Sequence, residues 1–107
     1  MQLRTASVAE QDIVGASLWL DQQQLGSGDE FQVAMIETAA SIACAPLACP
    51  TFVAERTPFK STLRWRAVGR FPYLAIFTVE NDEVLIVAVL HNRRDLEAIL
   101  RQRVGIA

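Results

Sequence analysis

The sequence predicts an α+β fold. An N-terminal strand and an antiparallel helical hairpin pack on a three- to four-stranded antiparallel sheet, and a short helix ends the chain. Three observations predict it. Apolar residues of the first half recur at helical spacing, the second half changes to β runs, and three prolines (Pro46, Pro50 and Pro58) separate the two halves.

Residues 1–6 alternate weakly through Leu3 and Thr5, enough for a short first strand at the sheet edge. Ser7 and Glu10 then have the spacing of a capping box, in which hydroxyl and carboxylate satisfy orphan amides of a helix start. Behind them Ala9, Ile13, Ala16 and Leu20 form one helical stripe, which Trp19 widens. This helix is expected over residues 7–23 and stops near Gly26, where a left-handed conformation costs little. A second helix opens at Ser27-Gly28-Asp29-Glu30, with acids where the helix dipole favours them. Its buried stripe is Phe31, Met35, Ala39 and Ile42, and it must end before Pro46. So short a connection forces an antiparallel hairpin.

Residues 46–58 are expected to be a loop crossing to the sheet. Residues 62–68 alternate, with Leu63, Trp65 and Ala67 on one side and Arg64 and Arg66 on the other, the pattern of an edge-like strand. Gly69-Arg70-Phe71-Pro72 is a turn. Residues 73–80 and 83–90 then pair about Asn81-Asp82, residues suited to a tight hairpin. That turn sets Val79 against Val84, Phe77 against Ile86, Ala75 against Ala88 and Tyr73 against Leu90. Both faces of this hairpin are apolar, so both need a cover. The helical hairpin supplies one, and the short helix expected over residues 95–103 is small for the other. An incompletely covered face points to an obligate partner.

The chain of 107 residues is expected to be one domain over its whole length, able to bury roughly two-thirds of its unfolded surface. A composition that is 51% hydrophobic and 21% charged excludes intrinsic disorder. Nothing in the net charge of −2 argues for nucleic acid, but the distribution is uneven. Residues 1–55 hold one base against seven acids, whereas residues 56–107 hold nine bases against five acids. Arg56, Lys60, Arg64, Arg66 and Arg70 follow one another without an acid, which makes either a positive binding face or a solvated strand protected from aggregation. No secretory signal and no membrane-length apolar run is visible, so a cytoplasmic protein without membrane association is expected. Cys44 and Cys49, with a single histidine in the chain, make a poor metal site, and neither a metal nor a cofactor is expected.

The segment Val68-Gly-Arg-Phe-Pro-Tyr73, a β run, an acidic turn and Val87-Ala-Val-Leu-His-Asn-Arg-Arg-Asp95 resembles the RelE/ParE toxin superfamily. The likeness is to its ParE-like, plasmid-stabilisation branch. It is close over about 30 residues and architectural over the rest. It implies the toxin of a bacterial type II toxin–antitoxin system, held by a cognate antitoxin in a hetero-oligomer. ParE-type members bind and poison DNA gyrase. RelE-type members are ribosome-dependent endoribonucleases, but the positions of their central-strand arginine and C-terminal tyrosine fall at Leu74 and near Ile99 here. That favours inhibition by binding, with no catalytic residue and no direct sequence-specific contact with nucleic acid. The ribonuclease remains an alternative. So does a degenerate member that binds antitoxin without toxicity, which the alanine-rich acidic first half would allow.

On this reading Arg70, Arg93, Arg94 and His91 meet the target, and Trp65, Tyr73, Leu74 and Ile76 meet the antitoxin. Each has a plainer use. His91 can hydrogen-bond backbone at a strand end, Asp95 can cap the last helix, and the arginines can be solvated charge. Trp19 and Trp65 can be interface anchors or core, and the stripes favour core.

Overall fold

The computed structural model describes residues 1–105. The elements in chain order are β1 (Gln2–Thr5), α1 (Ser7–Gln23), α2 (Ser27–Cys44), β2 (Thr51–Phe52), β3 (Leu63–Ala67), β4 (Tyr73–Glu80), β5 (Glu83–His91) and α3 (Leu96–Val104). The expected α+β architecture holds, and the sheet is larger than expected: five strands in the order β1-β5-β4-β3-β2. It is also mixed, because β1 runs parallel to β5. A strand followed at once by a helical hairpin has its return path through the helices, so parallel pairing on the sheet edge is open to it. Strand β2 lies inside the proline-rich connection, where Pro50 hides it. Its two residues pair with Leu63 and Arg64, so β3 is not the sheet edge.

The helical hairpin forms as the stripes require. In α1 the residues Ala9, Ala16 and Leu20 are buried, and in α2 Phe31, Met35 and Ile42. Trp19 does not widen the stripe: it is half exposed. The capping box also does not form. Ala6 occupies the N-cap with no side-chain bond, and Ser7 is already helical. The amide of Ala6 donates instead to Ile86 O at 2.9 Å, so strand pairing runs up to the helix start and leaves no room for a separate cap residue. Gly26, with φ at 92°, makes the turn between the helices. Gly28 lets them meet: a Cβ there would lie 2.5 Å from the Ser17 carbonyl and 2.8 Å from the Asp21 carboxylate.

The β4–β5 turn places Asn81 and Asp82 at φ 52° and 59°, both left-handed, the conformation a two-residue hairpin of matching twist needs. The expected pairs Val79–Val84 and Phe77–Ile86 are present. Beyond them the register shifts by one: Ile76 faces Ala88, Ala75 faces Val89, Leu74 faces Leu90 and Tyr73 faces His91. Val87 is the extra residue of a β-bulge. Below it every side chain of β5 changes face relative to the uninterrupted register.

The bulge sorts the two cores. One packs under the helical hairpin and contains Phe31, Tyr73, Ala75, Phe77, Ile86 and Val89. The other lies on the opposite face, with Phe59, Leu63, Ile76, Ala88, Leu90 and Leu100. The expected open sheet face is therefore covered by the chain itself. Phe52 and Phe59, 6.0 Å apart, fold over from the proline-rich connection and meet the apolar side of α3. No described helix is long and apolar enough to cross a membrane.

Candidate functional site

The basic residues of the resemblance collect at one end of the β4–β5 hairpin. There β5 ends at His91, a turn carries Asn92, Arg93 and Arg94, and Asp95 begins α3. Asp95 is the N-cap, its carboxylate accepting from the Ala98 amide at 3.2 Å. The turn is fixed on three sides. The Arg94 amide donates to His91 O at 3.1 Å, the Arg93 amide to His91 Nδ1 at 3.1 Å, and the Asn92 amide to Pro72 O at 2.9 Å. The last bond ties this turn to the Gly69–Arg70 turn that precedes β4. Because Nδ1 accepts, Nε2 of neutral His91 carries the hydrogen.

An aromatic relay supports the turn from within. The His91 ring stands edge-on to Tyr73 at 5.2 Å, Tyr73 meets Phe31 of α2 at 5.1 Å, and Phe31 meets Phe71 at 5.4 Å. Burial pushes the Tyr73 hydroxyl above its ordinary 10.0, and the nearby Arg94 charge offsets part of that rise. Outside this frame Arg93 and Arg94 are exposed, and among the described residues neither lies within ion-pair distance of a carboxylate. They are charges on a rigid mount.

Arg70 is placed differently. Its guanidinium pairs with Glu30 at 2.5 Å and lies 4.7 Å from the Phe71 ring, which binds it to the start of α2. Arg64 is also engaged, donating to Cys49 O at 2.7 Å and holding the connection before β2. The five-base stretch is thus not one free face: Arg56, Lys60 and Arg66 are exposed, and the other two are tied to the fold.

A cleft of about 290 Å³ opens beside the basic turn, between α1 and β5, lined by Gln11, Asp12, Gly15, Tyr73, His91 and Arg94 among others. It exists because β1 is short. That strand pairs β5 only as far as Ile86, so the rest of β5 has no strand neighbour on this side. Asp12 and Arg103 take the strand's place. Asp12 Oδ2 accepts from the Val89 amide at 3.0 Å, and Arg103 Nη1 donates to Val87 O at 3.1 Å. The two side chains bond each other at 2.5 Å and 2.9 Å, and those bonds raise the Arg103 pKa against the effect of its burial. Sequence reasoning missed this pair. The signal was present: Asp12 stands four residues before Ala16 and eight before Leu20, an acid in line with a buried stripe.

The four residues expected to meet an antitoxin divide by depth. Ile76 is fully buried and Tyr73 nearly so, each inside a core, and a buried side chain offers no area to a partner docking on the folded chain. Trp65 and Leu74 are half-buried and pack at the margin of the second core. Leu74 and Ile99 thus share that core, at the positions where the resemblance locates nuclease side chains. Cys44 is exposed and Cys49 buried, and they are not bridged. Among the described residues no group of three or more His, Cys, Asp or Glu side chains is placed to hold a metal ion.

A family model described as the ParE toxin of the type II toxin–antitoxin system, parDE, matches residues 3–96. No curated protein matches the chain.

Proposed function

The chain belongs to the ParE toxin family of type II toxin–antitoxin systems, and on that premise we propose that it is a toxin that inhibits DNA gyrase by binding, without catalysis, until a cognate antitoxin covers it. The observation that carries this reading is the pair Arg93–Arg94: two adjacent, exposed guanidiniums with no carboxylate partner among the described residues, on a turn held by backbone bonds. Because the backbone beneath them is already held, binding has only the two side chains left to order, which suits recognition of an acidic surface. His91 Nε2 and the cleft beside it extend that surface. Arg70 contributes through its place in the adjoining turn, once its contact with Glu30 is exchanged for a target carboxylate. An exposed ion pair of this kind is worth no more than about 1 kcal/mol, so the exchange is open to it.

The ribonuclease alternative needs a cation at the developing phosphorane and a group that moves the 2′-hydroxyl proton. The resemblance puts that arginine at Leu74 and that tyrosine near Ile99, both aliphatic side chains, which supports the binding mechanism over the cleaving one.

The test is charge reversal. Purified chain is expected to inhibit supercoiling by DNA gyrase, and Arg93→Glu with Arg94→Glu is expected to abolish that inhibition while leaving the circular dichroism spectrum and thermal midpoint unchanged. Full inhibition by a folded double variant would remove both arginines from the site.

A further inference from the structure

We infer that the cleft between α1 and the end of β5 is a subsite for a single carboxylate, held by Tyr73, His91 and Arg94. For the source of that group the inference rests on the gyrase-binding reading: the carboxylate is an acidic side chain of the target, seated beside the Arg93–Arg94 turn.

The donors come from the β5 side of the cleft. Arg94 is exposed, with no carboxylate partner among the described residues. His91 Nδ1 is already taken by the Arg93 amide, which leaves the Nε2 hydrogen as the one this ring can donate. The Tyr73 ring is buried, but its hydroxyl has no hydrogen-bond partner among the described residues. No buried side-chain oxygen is left unsatisfied either, so this hydroxyl reaches the cleft surface. Arg94 stands close enough for its charge to act on it. A guanidinium fork beside two neutral donors is the complement of a carboxylate, which accepts through both oxygens.

The charge of the cleft selects among anions. Its one acid, Asp12, is already compensated: both of its oxygens bond Arg103, and Oδ2 also accepts from the Val89 amide. The charge left over is the single positive one of Arg94. A carboxylate matches it. A phosphate monoester carries roughly −1.5 to −2 at neutral pH and would leave part of that charge unmet beside Asp12.

Gly15 keeps the cleft open from the α1 side. It lies in the interior of that helix, where glycine is destabilising relative to alanine. Its backbone does not require glycine, since left-handed φ among the described glycines is confined to Gly26, Gly69 and Gly105. Packing does not require it either. Apart from its chain neighbours and its own helix backbone, a Cβ there would have nothing within 4 Å. The fold gains nothing from this glycine, and the cleft gains its space.

The test uses the full-length chain and two short capped peptides that differ only in a central glutamate or glutamine. His91 is the only histidine and Tyr73 the only tyrosine, so their nuclear magnetic resonance signals each report one group. At constant pH the glutamate peptide is expected to shift both in a saturable titration. The glutamine peptide should bind at least about tenfold more weakly, because it brings no charge to the donors. Acetate is expected to bind more tightly than inorganic phosphate. Arg94→Gln and Tyr73→Phe, followed at His91, should each weaken the glutamate peptide by about tenfold. Gly15→Leu fills the cleft without touching a donor, so it should abolish binding while holding or raising the thermal midpoint. Equal binding of the two peptides, or of neither, would overturn the inference. So would phosphate binding more tightly than acetate, or unchanged binding by a folded Gly15→Leu chain. Acetate binding as tightly as the glutamate peptide would keep the carboxylate subsite and overturn the protein source. Loss of gyrase inhibition in Gly15→Leu supports an acidic side chain of gyrase in the cleft, and full inhibition by that variant overturns that source. If the unsubstituted chain does not inhibit gyrase, the proposed function fails, and the peptide titration decides the subsite separately.

Discussion

Asp12 and Arg103 do for β5 what a longer β1 would do. Their side-chain exposures are only 12% and 18%, so each charge depends on the other for solvation. Removing one partner from such a pair leaves an uncompensated charge and, here, an unmet strand amide or carbonyl. Arg103→Met and Asp12→Leu are each expected to destabilise by about 3 kcal/mol in urea unfolding, and the double variant by clearly less than the sum of the two. Additive losses would show that the two side chains act independently. Tyr73 offers a second check at this scale, because it is the only tyrosine and its ultraviolet titration reports one group. Burial holds its folded pKa above 10.0. The neutral form is therefore the one the fold favours. Its contribution to stability is fully present below the unfolded value and is lost as pH rises through the folded value. Tyrosinate absorbance should appear later than in a model peptide, and Tyr73→Phe should flatten the alkaline fall in thermal midpoint. Titration at or below 10.0 would mean that the ring is solvated.

The contact between α1 and α2 is set by Gly28, whose missing side chain brings it against the Ser17 carbonyl and lets its amide reach Asp21 at 2.8 Å. Gly28→Ala is expected to cost about 2 kcal/mol, read as a lowered urea midpoint with an unchanged slope. A neutral substitution would show that the helices separate there freely. The sequence carried these helices well, since their stripes are long and their ends are marked by Gly26 and Pro46. Asp95 at the start of α3 was equally legible. The β4–β5 turn and the pairs nearest it followed from Asn81-Asp82. The bulge at Val87 did not: residues 84–90 are uniformly apolar, and such a run has no alternation to reveal a change of phase. The same uniformity hid which residues face which core, and with that the burial of Ile76. Strand β2 is two residues among prolines, too short to show a period. The parallel pairing of β1 depends on contacts with residues some 80 positions away, which no local pattern encodes.

At the scale of the molecule, an acidic helical layer lies on one face of the sheet, and most of the bases belong to the part of the chain that follows it. Residues 1–55 and 56–107 differ in net charge by ten, −6 against +4. The basic turn at Arg93–Arg94 and the outer face of the helical hairpin are distinct surfaces of one small fold. The candidate site could be read as a set of residue types at the end of β5, because His91, Arg93, Arg94 and Asp95 lie within five residues of sequence. Its support by Asp12 and Arg103 could not, because those two meet only in three dimensions. The proposed function makes this chain a toxin that acts by binding gyrase. The most direct measurement is induction of the chain alone in bacteria, with growth, SOS induction and the integrity of mRNA followed together. Arrest with an SOS response and intact mRNA is expected. Arrest with cleaved mRNA, or normal growth with folded chain accumulating, would contradict it.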